Sequence, residues 1–321
     1  MQTKRIEFRQ KRDFSEKVSA TFDFLRINFK SLARSIILIA GPLILVGIGI
    51  FVAFSSRLIA SFQELTSGNP LSSPLSVFTL FGGLAIFVII IYTAIVAVIY
   101  TYLQLYLDDS PDIDDFQTIF DYTKRNFAIV LSSTFALLFL LFAFIVVATI
   151  LFAAIGGIVG TSGIWLTILF GFFVIFPLFV YLAIGLSFVY FIRVIEGISL
   201  WAAISRSFSL ISGHWWATFG YVIAISFIQG FMGYIFQVPL LIYSAIFPLV
   251  SLEETDTSKA YMAGYVVLGL FYVFGSQLLN TFNLTAIAFQ YFNIVEIKEG
   301  VGLINRIEKV GEKRKEDEED F

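Results

Sequence analysis

The chain has no cysteine. Disulfides, thiolate metal sites, iron–sulfur clusters, lipid attachment through sulfur and cysteine nucleophiles are all excluded. The redox compartment stays open. Histidine occurs once, as His214, so no two imidazoles can share a metal. Charge is scarce: Asp, Glu, Lys and Arg make up 14% of the 321 residues, where a soluble domain carries about a quarter. The net charge of −3 is too small to indicate a polyionic partner, and no nucleic-acid partner is expected. No glycine loop of the phosphate-cradling kind is present. Gly47-Ile48-Gly49 lies in apolar sequence with no strand before it. A cleavable signal peptide is not expected, because the chain stays charged until Arg34.

What is present is apolar. Hydrophobic residues reach 58%, with 38 Phe and 14 Tyr, and the mean hydropathy is +0.87. Six stretches are long enough to cross a hydrocarbon core, which takes about 20 residues. They run over 35–56, 77–107, 127–155, 164–192, 216–237 and 261–292, and none contains Asp, Glu, Lys or Arg. The four long ones must tilt or continue as helix beyond the bilayer. Outside the spans, 19 of the 21 Lys and Arg fall in 1–34, 108–126, 193–215 and 293–321. Basic residues are retained on the cytoplasmic side during insertion. Both termini are therefore expected in the cytoplasm of a multi-pass protein of the cell inner membrane.

A short phrase recurs before each pair of spans. Phe22-Asp23-Phe24-Leu25-Arg26-Ile27-Asn28-Phe29 returns 98 positions later as Phe120-Asp121-Tyr122-Thr123-Lys124-Arg125-Asn126-Phe127. A weaker third copy, Phe208 to Trp215, places His214 where the others have Asn28 and Asn126. The expected fold is all-α: a polytopic membrane helical bundle of six spans in three hairpins, each preceded by a cytoplasmic amphipathic helix. Residues 1–34 form the N-terminal segment, 35–292 the membrane domain, and 293–321 a charged tail that is partly disordered by composition.

Helical spacing supports the amphipathic segments. Phe14, Val18, Phe22, Leu25, Phe29 and Leu32 fall on one line, with Glu16, Lys17, Asp23, Arg26 and Lys30 off it. Trp201, Ile204, Phe208, Ile211 and Trp215 form another line. The middle segment has Ser110-Pro111 as N-cap and first turn, followed by Asp112, Asp114 and Asp115 at the positive helix end. Such helices either rest in the headgroups or dock a cytoplasmic partner. Asn28 and Asn126 are placed at the junction of surface helix and span, where an amide can satisfy freed backbone groups.

Candidate chemistry is thin. His214 has no second ligand and no nearby acid in sequence, and Gly213-His214-Trp215-Trp216 suits an interfacial aromatic belt. No catalytic, cofactor-binding or metal-binding residue is expected, and no cofactor. The most distinctive polar feature is on the last span, where Gln277, Asn280 and Asn283 share a slowly drifting face. It should point into the bundle, either as hydrogen-bonding between helices or as the lining of a path for a lipid headgroup or small molecule. Paired glycines and prolines at Gly41-Pro42, Gly82-Gly83, Gly156-Gly157, Pro177 and Pro239 suggest kinks or close helix approach.

One stretch resembles a known pattern. Arg193-Val194-Ile195-Glu196-Gly197 is followed by Trp201-Ala202-Ala203-Ile204-Ser205-Arg206-Ser207-Phe208-Ser209-Leu210, then by Gly213-His214-Trp215-Trp216. A glutamate before an Ala-x-x-Arg-Ser-x-x-Leu helix, with an aromatic pair opening the next span, resembles the membrane domain of the glycerophosphoryl diester phosphodiesterase membrane-domain family and related six-span bacterial integral membrane proteins. The resemblance implies a bacterial inner-membrane protein with an accessory role. The catalytic barrel of that family has no counterpart here, so the phosphodiesterase activity is not implied. The expected function is a non-enzymatic scaffold or accessory subunit of a membrane complex, with the bilayer and a cytoplasmic or membrane protein as partners. The alternative is a transporter or lipid- or small-molecule-handling protein using the polar face of the last span.

Overall fold

A computed structural model describes residues 5–66, 74–160, 163–250, 255–302 and 304. Most of the charged tail lies outside the described residues. Helix is the only regular structure among them. In hydrocarbon a helix alone satisfies its own backbone, which is why uninterrupted apolar runs take this form.

The order is α1 Phe14–Ile39, α2 Gly41–Thr66, α3 Pro74–Leu107, α4 Phe116–Val159, α5 Ile164–Phe170, a π-helical turn Gly171–Ile175, α6 Phe176–Gly185, α7 Val189–Ile195, α8 Leu200–Ile211, α9 Trp215–Val250 and α10 Thr255–Glu299. Five helical segments are long and apolar enough to cross a membrane, and a sixth is obtained by counting α1 with α2 across a 48° bend. The 44 residues of α4 span about 66 Å at about 1.5 Å per residue, against a hydrocarbon core of about 30 Å.

Several boundaries differ from those expected. The first two surface segments are not separate helices. α1 runs straight through Asn28 and breaks only at Ala40, inside the expected first span 35–56, while α4 runs unbroken through Asn126. Good helix formers continue a helix across a change of solvent, since nothing at either asparagine interrupts the backbone ladder. The third segment alone is separate, as α8, because Ser212 and Gly213 (φ +80°) end it. The cap of α4 is Asp115, not Ser110-Pro111; its carboxylate accepts from the Thr118 N–H at 2.8 Å and the Thr118 hydroxyl at 2.9 Å. Gly41-Pro42 opens α2, and Pro177 follows the π turn, whereas Pro239 is accommodated inside α9.

The chain forms two compact units. One comprises Met1–Ile27, Phe135–Ile235 and Leu279–Phe321; the other comprises Asn28–Thr134 and Phe236–Leu278. In the second unit α3 is buried on all sides from Thr93 to Leu103, as expected for a helix apolar all round. α2 packs closely on it: a Cβ at Gly47 would stand 2.5 Å from the Phe87 ring.

Along α4 small and polar residues share the buried line while large rings lie outside it. The inward line of α4 is Ile119, Thr123, Asn126, Val130, Ser133 and Thr134, while Phe139 is 69% exposed. On α1, Phe14 is 50% and Phe29 54% exposed, while Lys17, Ala20, Thr21 and Phe24 are buried. The apolar line read along α1 is thus only partly covered: Leu32 is buried and Val18 and Leu25 pack on the core around Tyr221 and Phe282, while Lys17, placed off the line, is buried as well. Lipid offers large rings a solvent as good as the core, so some lie outside, as Phe139 does, while others such as Phe24, Tyr100 and Phe188 are fully buried.

Candidate functional site

The polar side chains of the first unit fall into three groups along α10. The deepest lies in the membrane. Gln229 of α9 donates from Nε2 to Asn280 Oδ1 at 3.1 Å and accepts at Oε1 from Asn283 Nδ2 at 2.8 Å. Two of the three amides expected on the last span thus meet one partner on the neighbouring helix. Gln277 falls in the second unit. Gln229 was not singled out in the sequence because the two amides of α9, Gln229 and Gln237, are too few to mark a face.

The second group sits at the start of α1. Asp13 and Glu16 form a reciprocal cap, with Glu16 N–H on Asp13 Oδ1 at 2.8 Å and Asp13 N–H on Glu16 Oε2 at 2.9 Å. One turn on, Lys17 is only 6% exposed. Its Nζ donates to Gln290 Oε1 at 2.5 Å and lies 4.5 Å from the centroid of the Tyr221 ring. Gln290 Nε2 donates to Thr218 Oγ1 at 3.0 Å, which in turn donates to the His214 carbonyl at 3.0 Å. Burial pushes the Lys17 ammonium down to about 8, against the pull of Asp13. Ahead of the cap, residues 5–13 form a non-helical strap. Phe8 stacks on Phe289 with centroids 4.2 Å apart and meets Phe24 edge-on at 5.4 Å. The Arg12 N–H donates to Asn293 Oδ1 at 2.8 Å.

The third group explains the Glu and Ala-x-x-Arg-Ser-x-x-Leu residues one by one. Ala203 and Leu210 are buried. The Arg206 guanidinium donates from Nε to Glu196 at 3.1 and 3.2 Å, and from its two terminal nitrogens to Glu299 at 2.6 and 3.0 Å. The Glu299 bonds, with Glu196 behind them, hold Arg206 further in its charged form. The Tyr291 hydroxyl also donates to Glu196. Ser207 donates to the Gly185 carbonyl at 2.6 Å, where the chain breaks between α6 and α7 and an acceptor is freed. A Cβ at Gly185 would fall 2.2 Å from the Phe208 ring, so this approach requires glycine. Lys298 donates to the carbonyls of Ser209 and Ser212 at 2.6 and 2.8 Å, a cation at a helix C-terminus.

The three repeat positions do not converge. In the second unit the Tyr102 hydroxyl donates to Asn28 Oδ1 at 3.1 Å, and Asn126 Nδ2 donates to Thr101 and Gln104, each at 2.9 Å. Neither amide bonds a freed backbone group in these contacts, because neither stands at a helix end. His214 lies in the first unit, between α8 and α9, with a buried Nδ1 that has no hydrogen-bond partner among the described residues. No group of three His, Cys, Asp or Glu placed for a metal occurs among the described residues.

These features define an all-helical integral membrane protein whose conspicuous polar side chains join helix to helix. No family model, no curated protein and no solved structure matches the chain.

Proposed function

We propose that the protein is a non-enzymatic scaffold or accessory subunit of a membrane complex. The observation that carries this reading is the engagement of Asn280 and Asn283 by Gln229. These hydrogen bonds are directed at another helix, as in packing. The same holds at the helix ends, where Arg206, Ser207 and Lys298 fix α8 to its neighbours. A short helix fixed in this way is a platform for a protein partner. Its outer side carries Trp201, which is 71% exposed, and Ser205. In this reading the protein lies in a bacterial cytoplasmic membrane, with both termini and the platform in the cytoplasm.

One observation favours the rival reading of a transporter or lipid-handling protein. The segment 164–195 is interrupted twice, by the π turn at Gly171–Ile175 and by the break after Gly185, and interrupted helices occur at solute sites. Crosslinking in native membranes, followed by purification with Trp201→Ala and Ser205→Arg variants, separates the two. A scaffold yields a defined crosslinked protein that the variants lose while keeping their melting temperature. Solute uptake or lipid scrambling by the purified protein in liposomes, with no crosslinked partner, would overturn the proposal.

A further inference from the structure

Lys17 is a buried cation placed against neutral groups. Its nitrogen meets a carboxamide oxygen at 2.5 Å and an aromatic face at 4.5 Å. Neither can take up its charge as a carboxylate would. The groups around it come from four places. Asp13 and Glu16 belong to the cap of its own helix, and Asp13 is the one that favours the ammonium form. Arg12 of the strap stacks over Phe289 at 5.3 Å. α9 brings the Tyr221 phenol and, through Thr218, the backbone of His214. α10 brings uncharged Gln290.

A buried ammonium without a carboxylate partner opposes the packing that buries it. We propose that proton uptake and release at Lys17 controls how firmly the first turns of α1 are seated on α9 and α10. As an amine, Lys17 retains a donor for Gln290 and sheds the cost of a desolvated charge. As an ammonium it keeps the attraction to Tyr221 but strains the seat. The sign follows from linkage. The seated helix binds its proton less tightly than the released one, so release takes up a proton, and seating strengthens as pH rises from about 8 toward the ordinary lysine value of 10.5. The inference concerns α1 alone and stands whether or not the platform carries a partner.

The test is amide hydrogen exchange on the full-length protein in lipid nanodiscs at pH 7 and pH 9, corrected for intrinsic exchange. In the wild type, protection of residues 17–25 relative to the centre of α10 should rise about tenfold between these pH values. Lys17→Met should give high protection at both, and Lys17→Arg low protection at both. A flat wild-type profile would overturn the proposal, and so would a tenfold rise that persists in either variant. The arginine variant keeps the test decisive if the methionine variant does not fold, since arginine stays charged over the whole range.

Discussion

Asn28 and Asn126 stand 98 residues apart in the sequence, yet both are fastened to one turn of α3, Asn28 by the Tyr102 hydroxyl and Asn126 by Thr101 and Gln104. α3 is the most deeply buried of the long helices, so these bonds tie the second-unit parts of α1 and α4 to it. Asn126→Leu should destabilise by about 1–3 kcal/mol, because it leaves buried Thr101 and half-buried Gln104 short of a donor. Asn28→Leu removes one acceptor and should cost less. Thermal unfolding in mild detergent measures both.

The amides around Gln229 predict an asymmetry. Gln229→Leu takes from Asn280 and Asn283 their partner on α9 and should cost about 1–2 kcal/mol. Replacing Gln229, Asn280 and Asn283 by Leu together removes both ends of these two bonds and should cost less than the single change. A triple variant less stable than the single would show that the amides do more than join two helices.

Arg206 should not tolerate lysine. Its bidentate grip on Glu299 and the Nε contacts to Glu196 need a planar fork, which an ammonium lacks. The site is partly exposed, so the loss should be modest, about 1 kcal/mol. A smaller deficit in high salt would confirm its electrostatic origin.

Ser207→Ala should cost about 1–3 kcal/mol by orphaning the Gly185 carbonyl. Gly185→Ala should be worse, because the new methyl meets Phe208. Pairing it with Phe208→Leu should recover part of the loss. Melting temperatures of the two single variants and the pair decide this.

At Asp115 the Thr118 N–H, followed by the Thr118 hydroxyl, holds the carboxyl below its ordinary value. A lowered folded value means the cap contributes fully above the ordinary carboxylate range and is lost as pH falls through and below it. Exchange of the first-turn amides of α4 should therefore speed up on acidification. In Asp115→Ser the cap should persist and that pH dependence should disappear.

Much of the fold was legible because spanning a bilayer imposes length and apolarity on any helix. The spans 77–107, 127–155, 216–237 and 261–292 all fall inside observed helices. The cap of α1 was also written plainly, as Asp13-x-x-Glu16, but the stronger aromatic spacing drew the eye. That spacing marks a helix face but not what covers it: on the one line Phe14, Phe22 and Phe29 are exposed and Leu32 is buried, while Lys17 and Thr21 are buried off it. Period alone does not tell a lipid-facing side from a protein-facing one when both are apolar.

The sequence by itself determined that this protein is a bundle of membrane-length helices with amides on its last span, since hydrophobic length and the absence of charge are local properties. Only the tertiary structure decided that Gln229 receives those amides, that Arg206 bridges Glu196 and Glu299, and that Lys17 turns inward. Each of these pairings joins residues on different helices. Their choice depends on which helices become neighbours, and no interval along the chain encodes that.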